Sequence, residues 1–283
     1  MAPFLLPFHD EFDNMADDPL SSTPPLVLIF GPLDPTGATN LLADAVSCAH
    51  LGTHAVSVTT AIHTQDTATI EHISLVPPEQ LHDQARCLLE DMHVSAMKAG
   101  PIYTVESASV LAQIAADYIT VPLVLHLQAL PEDELASAEI EADEVIDALM
   151  HLVLPQSDLV VVDQTLLEQW RADGYLPSDT DAYQSILRLG ANWVLSLEPA
   201  TDNRSAHYML LGQNGEQQQW PATALPYRLH DTKGTLSCAV AAMLAKNTPM
   251  AEAIEHAIHF TEQRARRHFQ AGMGLRILNQ TTS

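Results

Sequence analysis

The chain has 283 residues, of which 47% are hydrophobic and 17% are charged. No apolar run approaches the roughly 20 residues that a membrane helix requires, so we expect a soluble, globular protein. The 36 aspartates and glutamates outnumber the 12 lysines and arginines, and the formal charge of −24 repels nucleic acid and anionic membranes. The composition therefore argues against both partners and predicts a solvated acidic surface.

The cysteines and the first residues indicate the compartment and the start of the domain. Cys48, Cys87 and Cys238 are widely spaced in the sequence and form no CxxC or Cys/His pattern. We therefore expect neither disulfides nor a metal site, which is consistent with a reducing cytoplasm. The first 25 residues turn acidic and Pro/Ser-rich without a basic segment, which is not typical of a signal peptide. We assign residues 1–25 to a flexible extension and residues 26–283 to one domain.

From Leu26 onward, short aliphatic runs alternate with longer amphipathic segments, which predicts an α/β fold with a mainly parallel sheet covered on both faces. The predicted strands are Leu26–Phe30, Ala55–Thr59, Ala96–Lys98, Leu123–Leu127, Leu159–Val162 and Trp193–Leu197. The predicted helices are Leu42–Ala49, Leu81–Met92, Val105–Ala116, Glu141–Leu152, Thr235–Ala245 and Ala251–Phe269. A late hairpin is predicted from Tyr208–Leu211 and Glu216–Trp220, which flank a Gly-Gln-Asn-Gly turn.

The loop after the first predicted strand, residues 31–40, is rich in glycine and proline and enters a helix. Ligands of open α/β sheets bind beyond the carboxyl ends of the strands, where such a turn offers backbone N–H groups. Asp34 can accept hydrogen bonds in this loop, either from a ligand or from the turn itself. Turns of this composition also occur for structural reasons alone, so the loop does not by itself define a site.

The continuation of this loop carries a specific resemblance. A series of spaced matches without gaps is similar to the bacterial hydroxymethylpyrimidine/phosphomethylpyrimidine kinases: Asp34-Pro35-Thr36-Gly37, Ala43-Asp44, Leu51-Gly52, Ser57-Val58, Thr60-Ala61 and Thr64-Gln65-Asp66-Thr67. Further matches follow at Lys98-Ala99-Gly100 and at Thr235-Leu236-Ser237. The resemblance covers Leu26 to Leu278. It implies a ribokinase-like three-layer α/β/α sandwich and Mg²⁺-ATP-dependent phosphorylation of the thiamine pyrimidine precursor and of its monophosphate.

The resemblance also implies residue roles and partners. Asp34, Gly37, Asp44 and Gln65 fall at positions that line or support the family's pyrimidine pocket. The alternative for the two aspartates is that they cap turns and helices. ATP and Mg²⁺ are the implied cofactors, a pyrimidine the implied ligand, and a homodimer the implied assembly.

The resemblance fails where phosphoryl transfer is performed. The family's anion-hole loop ends in Gly-Thr-Gly-Cys, and the ungapped match here is Asp231-Thr232-Lys233-Gly234, so Gly234 occupies the position of the catalytic base. A second alignment deletes the loop and also loses the cysteine. Thr232 and Lys233 remain candidates to hold a phosphate. The alternative for Lys233 is an ordinary surface side chain.

Other parts of the family's phosphate machinery are also replaced. Leu166 stands where a glutamate organises Mg²⁺, residues 197–199 replace Lys-Gly-Gly, and His126-Leu127 replaces Asp-Pro. Phosphoryl transfer depends on positioning and charge compensation, which these changes weaken. Two hypotheses follow: a divergent kinase that uses substitute residues, or a pseudokinase that binds a small molecule or regulates without turnover.

Overall fold

The computed structural model describes residues 23–201, 205–223 and 228–281. Residues 1–22 of the predicted extension lie outside the described residues, so the prediction for that segment stands untested. Within the described ranges, none of the helices combines the length and the apolar character needed to cross a membrane.

The strands form one sheet. They are β1 (Leu26–Leu33), β2 (His54–Gln65), β3 (Ile70–Leu75), β4 (Val94–Ala99), β5 (Leu123–Leu127), β6 (Leu159–Asp163), β7 (Trp193–Glu198), β8 (His207–Gly212) and β9 (Gln217–Pro221). Their order across the nine-stranded sheet is β3-β2-β1-β4-β5-β6-β7-β8-β9. The strands from β2 to β7 in that order are parallel, whereas β3, β8 and β9 are antiparallel to their neighbours. The predicted mainly parallel sheet is confirmed.

Helices cover both faces of this sheet. They are α1 (Asn40–His50), α2 (Pro78–Asp91), α3 (Val105–Asp117), α4 (Glu132–Ser137), α5 (Ala142–Ala148), α6 (Gln164–Ala172), α7 (Ala182–Arg188), α8 (Thr232–Ala245) and α9 (Met250–Arg266). A π-helical turn at Leu149–Val153 continues α5. The sequence patterns identified neither α4 nor the two short helices α6 and α7.

The apolar core lies in two large clusters, one on each face of the sheet, and in a small third cluster of Ala61, Ile73, Tyr103 and Leu135. In β1, Leu28 and Phe30 pack with α2, α3 and the α5–α7 helices, whereas Val27 and Ile29 pack with α1, α8 and α9. Successive residues of a strand point to opposite faces, so a strand buried on both faces must be apolar throughout. The α/β/α sandwich follows from this continuous burial.

Strand β2 is longer than predicted at its carboxyl end, and the additional residues form part of the cavity described below. The strand continues past Thr59 to Gln65 because it gains an antiparallel partner, β3, in residues 61–65. In β3 only Ile73 is buried, while Glu71 and His72 are exposed. An edge strand with a single fully buried side chain carries a weak sequence signal. As a result, Gln65 projects from an ordered strand.

The backbone between α7 and β7 requires a glycine. Gly190 has φ of +117°, and a Cβ there would lie 2.7 Å from Cα of Pro155. We expect Gly190→Ala to lower the free energy of unfolding by about 2–5 kcal/mol, because left-handed strain adds to a backbone overlap. Urea denaturation measures the change. The matched control is Gly174→Ala, where φ is +89° but no atom lies within 4 Å. An equal loss in both variants would contradict the proposed overlap.

Candidate functional site

A cavity of about 340 Å³ opens at the carboxyl ends of β1, β2, β4 and β5. This edge is where open α/β sheets bind ligands. Its wall is assembled from loops that are distant in sequence, and includes Asn40, Gln65, Tyr103, Leu130, His230 and Asp231. The cavity therefore exists only in the complete fold.

The loop after β1 is organised by the buried Asp34 carboxylate. It accepts hydrogen bonds from the backbone N–H groups of Thr36 (2.8 Å) and Thr39 (2.9 Å) and from both threonine hydroxyls. Gly37 completes the turn at φ of +67°. These contacts engage the carboxylate within the loop and set the start of α1. Asp34 thus shapes the cavity rim without lining the cavity itself.

A buried ion pair lies behind this loop. Nζ of Lys98 in β4 donates to Oδ2 of Asp44 in α1 at 2.6 Å, and both side chains are essentially inaccessible to solvent. Burial alone would lower the pKa of Lys98, but the Asp44 and Asp231 carboxylates outweigh it and hold the pKa above its ordinary value. The Cys238 thiol donates to the carbonyl oxygen of Asp44 at 3.4 Å. Asp44 is therefore engaged on the core side of α1.

The opposite wall contains a chain of three hydrogen-bonded side chains. His63 Nδ1 lies 2.8 Å from Oε1 of Gln65, and His63 Nε2 lies 3.1 Å from the Tyr103 hydroxyl. Because Oε1 only accepts, Nδ1 must carry the proton and the hydroxyl must donate to Nε2. Burial lowers the pKa of His63, which favours this neutral tautomer. The chain thus fixes the Gln65 amide with its nitrogen unbonded by any described residue.

The N-terminus of α8 is capped by the protein's own carboxylate. Asp231 adopts the left-handed conformation at φ of 38°, and its Oδ1 accepts the Gly234 N–H at 2.7 Å. A Cβ at position 234 would overlap the Asp231 carboxyl group, so the two residues fit each other. An Asp231 side chain therefore fills the place at which a helix N-terminus would otherwise receive an anion.

The side chain of Lys233 is also engaged. Its ammonium forms an ion pair with the carboxylate of Asp163, the last residue of β6. Thr232 is the first residue of α8, and neither Thr232 nor Lys233 lines the cavity. The Lys233 ammonium, which was predicted to bind a phosphate, is thus paired with a carboxylate of the same chain.

His126 projects from β5 beneath the α8 cap. The imidazole is 4% exposed, and its Nδ1 lies 3.8 Å from Oδ1 of Asp231 without a hydrogen-bond partner among the described residues. Burial lowers its pKa to about 4, against the opposing effect of the Asp231 carboxylate. The histidine is therefore neutral near pH 7.

At the end of β7, the Glu198 side chain also has a hydrogen-bond partner within the protein. The Tyr183 hydroxyl of α7 donates to the Glu198 carboxylate and lies 3.1 Å from the Ser196 hydroxyl. Burial, followed by this carboxylate, raises the pKa of Tyr183. A protein hydroxyl thus engages the residue that replaces part of the family's Lys-Gly-Gly.

A C-terminal segment supports the cavity rim. Thr67, in the turn between β2 and β3, accepts the N–H of Leu275 at its carbonyl and the N–H of Gly274 at its hydroxyl, both at 3.1 Å. His230 Nε2 also lies 2.8 Å from the Thr67 carbonyl. The turn is therefore held by chain more than two hundred residues away.

The residues that were predicted to bind substrate do not all lie at the cavity. Of the four predicted substrate-binding residues, Gln65 lines the cavity, while Asp34, Gly37 and Asp44 lie outside its lining. Sequence reasoning missed His63, Tyr103 and the partners of Lys98 and His126. The sequence did give a signal at Lys98 and His126. Each is a polar residue within a buried apolar strand, so its side chain must be either paired or neutral.

The comparisons with known proteins first define the class. The chain is similar in fold to a pyridoxal kinase from Staphylococcus aureus in complex with ADP, with a TM-score of 0.78 and 19% identity over 92% of this chain and 94% of that one. It is also similar to a phosphomethylpyrimidine kinase from Clostridium difficile 630, with a TM-score of 0.69 and 20% identity over 84% and 98%. The chain therefore has the same α/β fold as these two kinases.

A family model described as phosphomethylpyrimidine kinase matches residues 34–279, and the chain belongs to this family of thiamine biosynthesis. It is 27% identical over 259 residues to the hydroxymethylpyrimidine/phosphomethylpyrimidine kinase of Streptomyces coelicolor, covering 89% of this chain and 93% of that protein. It is 26% identical over 247 residues to a chloroplastic thiamine biosynthetic bifunctional enzyme of Arabidopsis thaliana. That match covers 84% of this chain but 46% of the plant protein, so the chain spans less than half of that relative.

Two positions at this edge of the sheet bear on whether the chain could hold magnesium-ATP. Mg²⁺ is usually held by one or two carboxylates together with phosphate oxygens. Asp163 is paired with Lys233, and the buried Leu166 offers no oxygen where the family has a glutamate. Among the described residues, no group of three or more His, Cys, Asp or Glu side chains could hold a metal ion.

We expect Lys98→Met to lower the free energy of unfolding by about 3–5 kcal/mol, because it leaves the Asp44 carboxylate buried and unpaired. Chemical denaturation monitored by tryptophan fluorescence measures this loss. The double variant Lys98→Met with Asp44→Asn removes both charges and should recover most of the stability. Equal losses in the single and double variants would show that the ion pair is not the cause.

The buried His126 also predicts a pH dependence. Its folded pKa of about 4 is below the ordinary 6.5, so the unfolded chain binds a proton that the folded protein excludes. The free energy of unfolding should therefore fall by up to about 3 kcal/mol from this group as pH drops from 6.5 to 4. Denaturation at several pH values should show a shallower dependence for His126→Asn. The exposed His82→Asn is the control, and a similar slope in both variants would refute the assignment.

Proposed function

We propose that this member of the phosphomethylpyrimidine kinase family is a pseudokinase that binds a small polar heterocycle without transferring phosphate. The observation that carries the proposal is the cap on α8, where the Asp231 carboxylate engages the Gly234 N–H. A phosphate approaching this helix end would meet a carboxylate in place of free N–H donors. Both the repulsion and the lost donors oppose phosphoryl transfer.

The cations and acids around the same edge support this proposal. The Lys233 ammonium is held by Asp163, and the Glu198 carboxylate by the Tyr183 hydroxyl. Each lost electrostatic donor of the oxyanion-hole kind costs on the order of 10²–10³ in rate, and such losses are not additive. Position 234 also lacks a side chain that could act as a base.

The cavity supports retention of binding. Its hydrogen-bonded wall from Tyr103 through His63 to Gln65 presents an ordered amide, and its apolar part includes Ile70 and Leu130. Small-molecule sites combine apolar walls with a few fixed polar groups. A flat heterocycle with a hydrogen-bond acceptor suits this arrangement.

Calorimetric titration and a phosphorylation assay test the proposal together. Hydroxymethylpyrimidine should give saturable binding, Mg²⁺-ATP should not, and mass spectrometry should detect no ATP-dependent product. The Streptomyces coelicolor kinase serves as the positive control for the assay. ATP-dependent phosphorylation by the unmodified chain at a rate near that control would overturn the pseudokinase assignment.

A restoration variant examines the physical cause. The triple change Asp231→Gly, Lys233→Gly and Gly234→Cys removes the cap and makes room for a thiol, since a Cβ at position 234 collides with Asp231. We expect it to remain inactive, because Leu166 and Glu198 still replace residues of the family's magnesium and phosphate machinery. Recovery of turnover in this variant would place the whole defect in the α8 cap.

A further inference from the structure

We infer that the cavity selects a cationic, amine-bearing aromatic heterocycle and discriminates against phosphorylated ligands. This inference rests on the proposed binding function and names the charge class of its ligand. The family relatives are named for kinases of hydroxymethylpyrimidine and phosphomethylpyrimidine, which are neutral and anionic compounds. A preference for positive charge would therefore set this chain apart.

The charged groups that line the cavity are of one sign. Asp66 and Asp231 contribute carboxylates, and no lysine or arginine lines it among the residues the structure describes. The Asp66 carboxylate accepts the N–H groups of Ala68 at 2.7 Å and Thr69 at 2.9 Å, contacts that lower its pKa and keep it ionised. An anionic wall attracts an ammonium group and repels a phosphate.

The nearby cations are paired with acids that lie outside the cavity lining. The Lys98 ammonium is buried behind the cavity against Asp44, and the Lys233 ammonium lies outside the lining against Asp163. Each is therefore paired with a carboxylate outside the lining, although the Lys98 ammonium also interacts electrostatically with the Asp231 carboxylate. The Asp66 carboxylate in particular has no cationic partner among the described residues.

The ordered amide supplies the second recognition element. With its Oε1 bound by His63, Gln65 directs a donor nitrogen that no described residue accepts. Its complement is an acceptor such as an unprotonated ring nitrogen. His230 adds a further polar group to the lining, because its Nε2 donates to the Thr67 carbonyl and its Nδ1 has no partner among the described residues. The combination favours an aromatic ring that carries both an acceptor and an ammonium.

Three matched probes test this inference by calorimetry: hydroxymethylpyrimidine, its aminomethyl analogue, in which an ammonium replaces the hydroxyl, and its monophosphate ester. We expect the aminomethyl compound to bind at least about tenfold more tightly than the hydroxymethyl compound, and the monophosphate most weakly. The advantage of the ammonium should shrink as salt is added, because the carboxylates are partly solvated.

Charge-neutral variants locate the cause. Asp66→Asn and Asp231→Asn keep side chains that can cap the same backbone groups, so the fold should persist. Each should reduce the preference for the aminomethyl probe by about threefold or more. Asp91→Asn removes the same charge at the exposed end of α2, at the opposite edge of the sheet, and should change nothing.

The outcomes separate the two proposals. Binding of hydroxymethylpyrimidine without a preference for the ammonium, or with the monophosphate bound more tightly, overturns the charge selectivity and leaves the binding function standing. Failure of all three probes to bind overturns both. A preference that survives unchanged in Asp66→Asn and Asp231→Asn also overturns the inference, because the selectivity then has another source.

Discussion

The ammonium of Lys98, a residue of the central sheet, is fully buried. The Asp44 carboxylate must remain beside it to offset the loss of solvation. This requirement fixes α1 against β4. It thereby fixes the loop before α1, whose Asp34-centred turn forms one rim of the cavity. The Cys238 thiol on the Asp44 carbonyl extends the same constraint to α8. The positions of the helices that frame the cavity therefore depend on one buried pair of charges.

Near this cavity, the residues that depart from the family pattern form hydrogen bonds and ion pairs within the chain. Asp231 fits Gly234, Lys233 pairs with Asp163, and Tyr183 engages Glu198. Here the partners are supplied by the chain itself. Internally satisfied polar groups stabilise the folded state, but they leave fewer donors to bind an anion.

The sequence predicted the sheet better than the cavity. Runs such as Leu159–Val162 identify central strands because both faces are buried, whereas β3 has a single buried residue and escaped detection. Spacing within motifs located Gln65 on the cavity wall. It could not reveal that Lys233 meets Asp163 seventy residues away, or that His63 meets Tyr103. Contacts of that kind depend on which strand ends become neighbours, and no local pattern encodes them.

The contact of Gly274 and Leu275 with Thr67 has a consequence for the order of assembly during synthesis. On the ribosome, β1 to β7 emerge well before the segment that holds this turn. The rim can close only after residues 274 and 275 have left the exit tunnel. A nascent chain truncated before this segment would possess most of the sheet yet lack a closed cavity rim. Order in this part of the cavity rim therefore depends on a segment that is synthesised long after the turn that it holds.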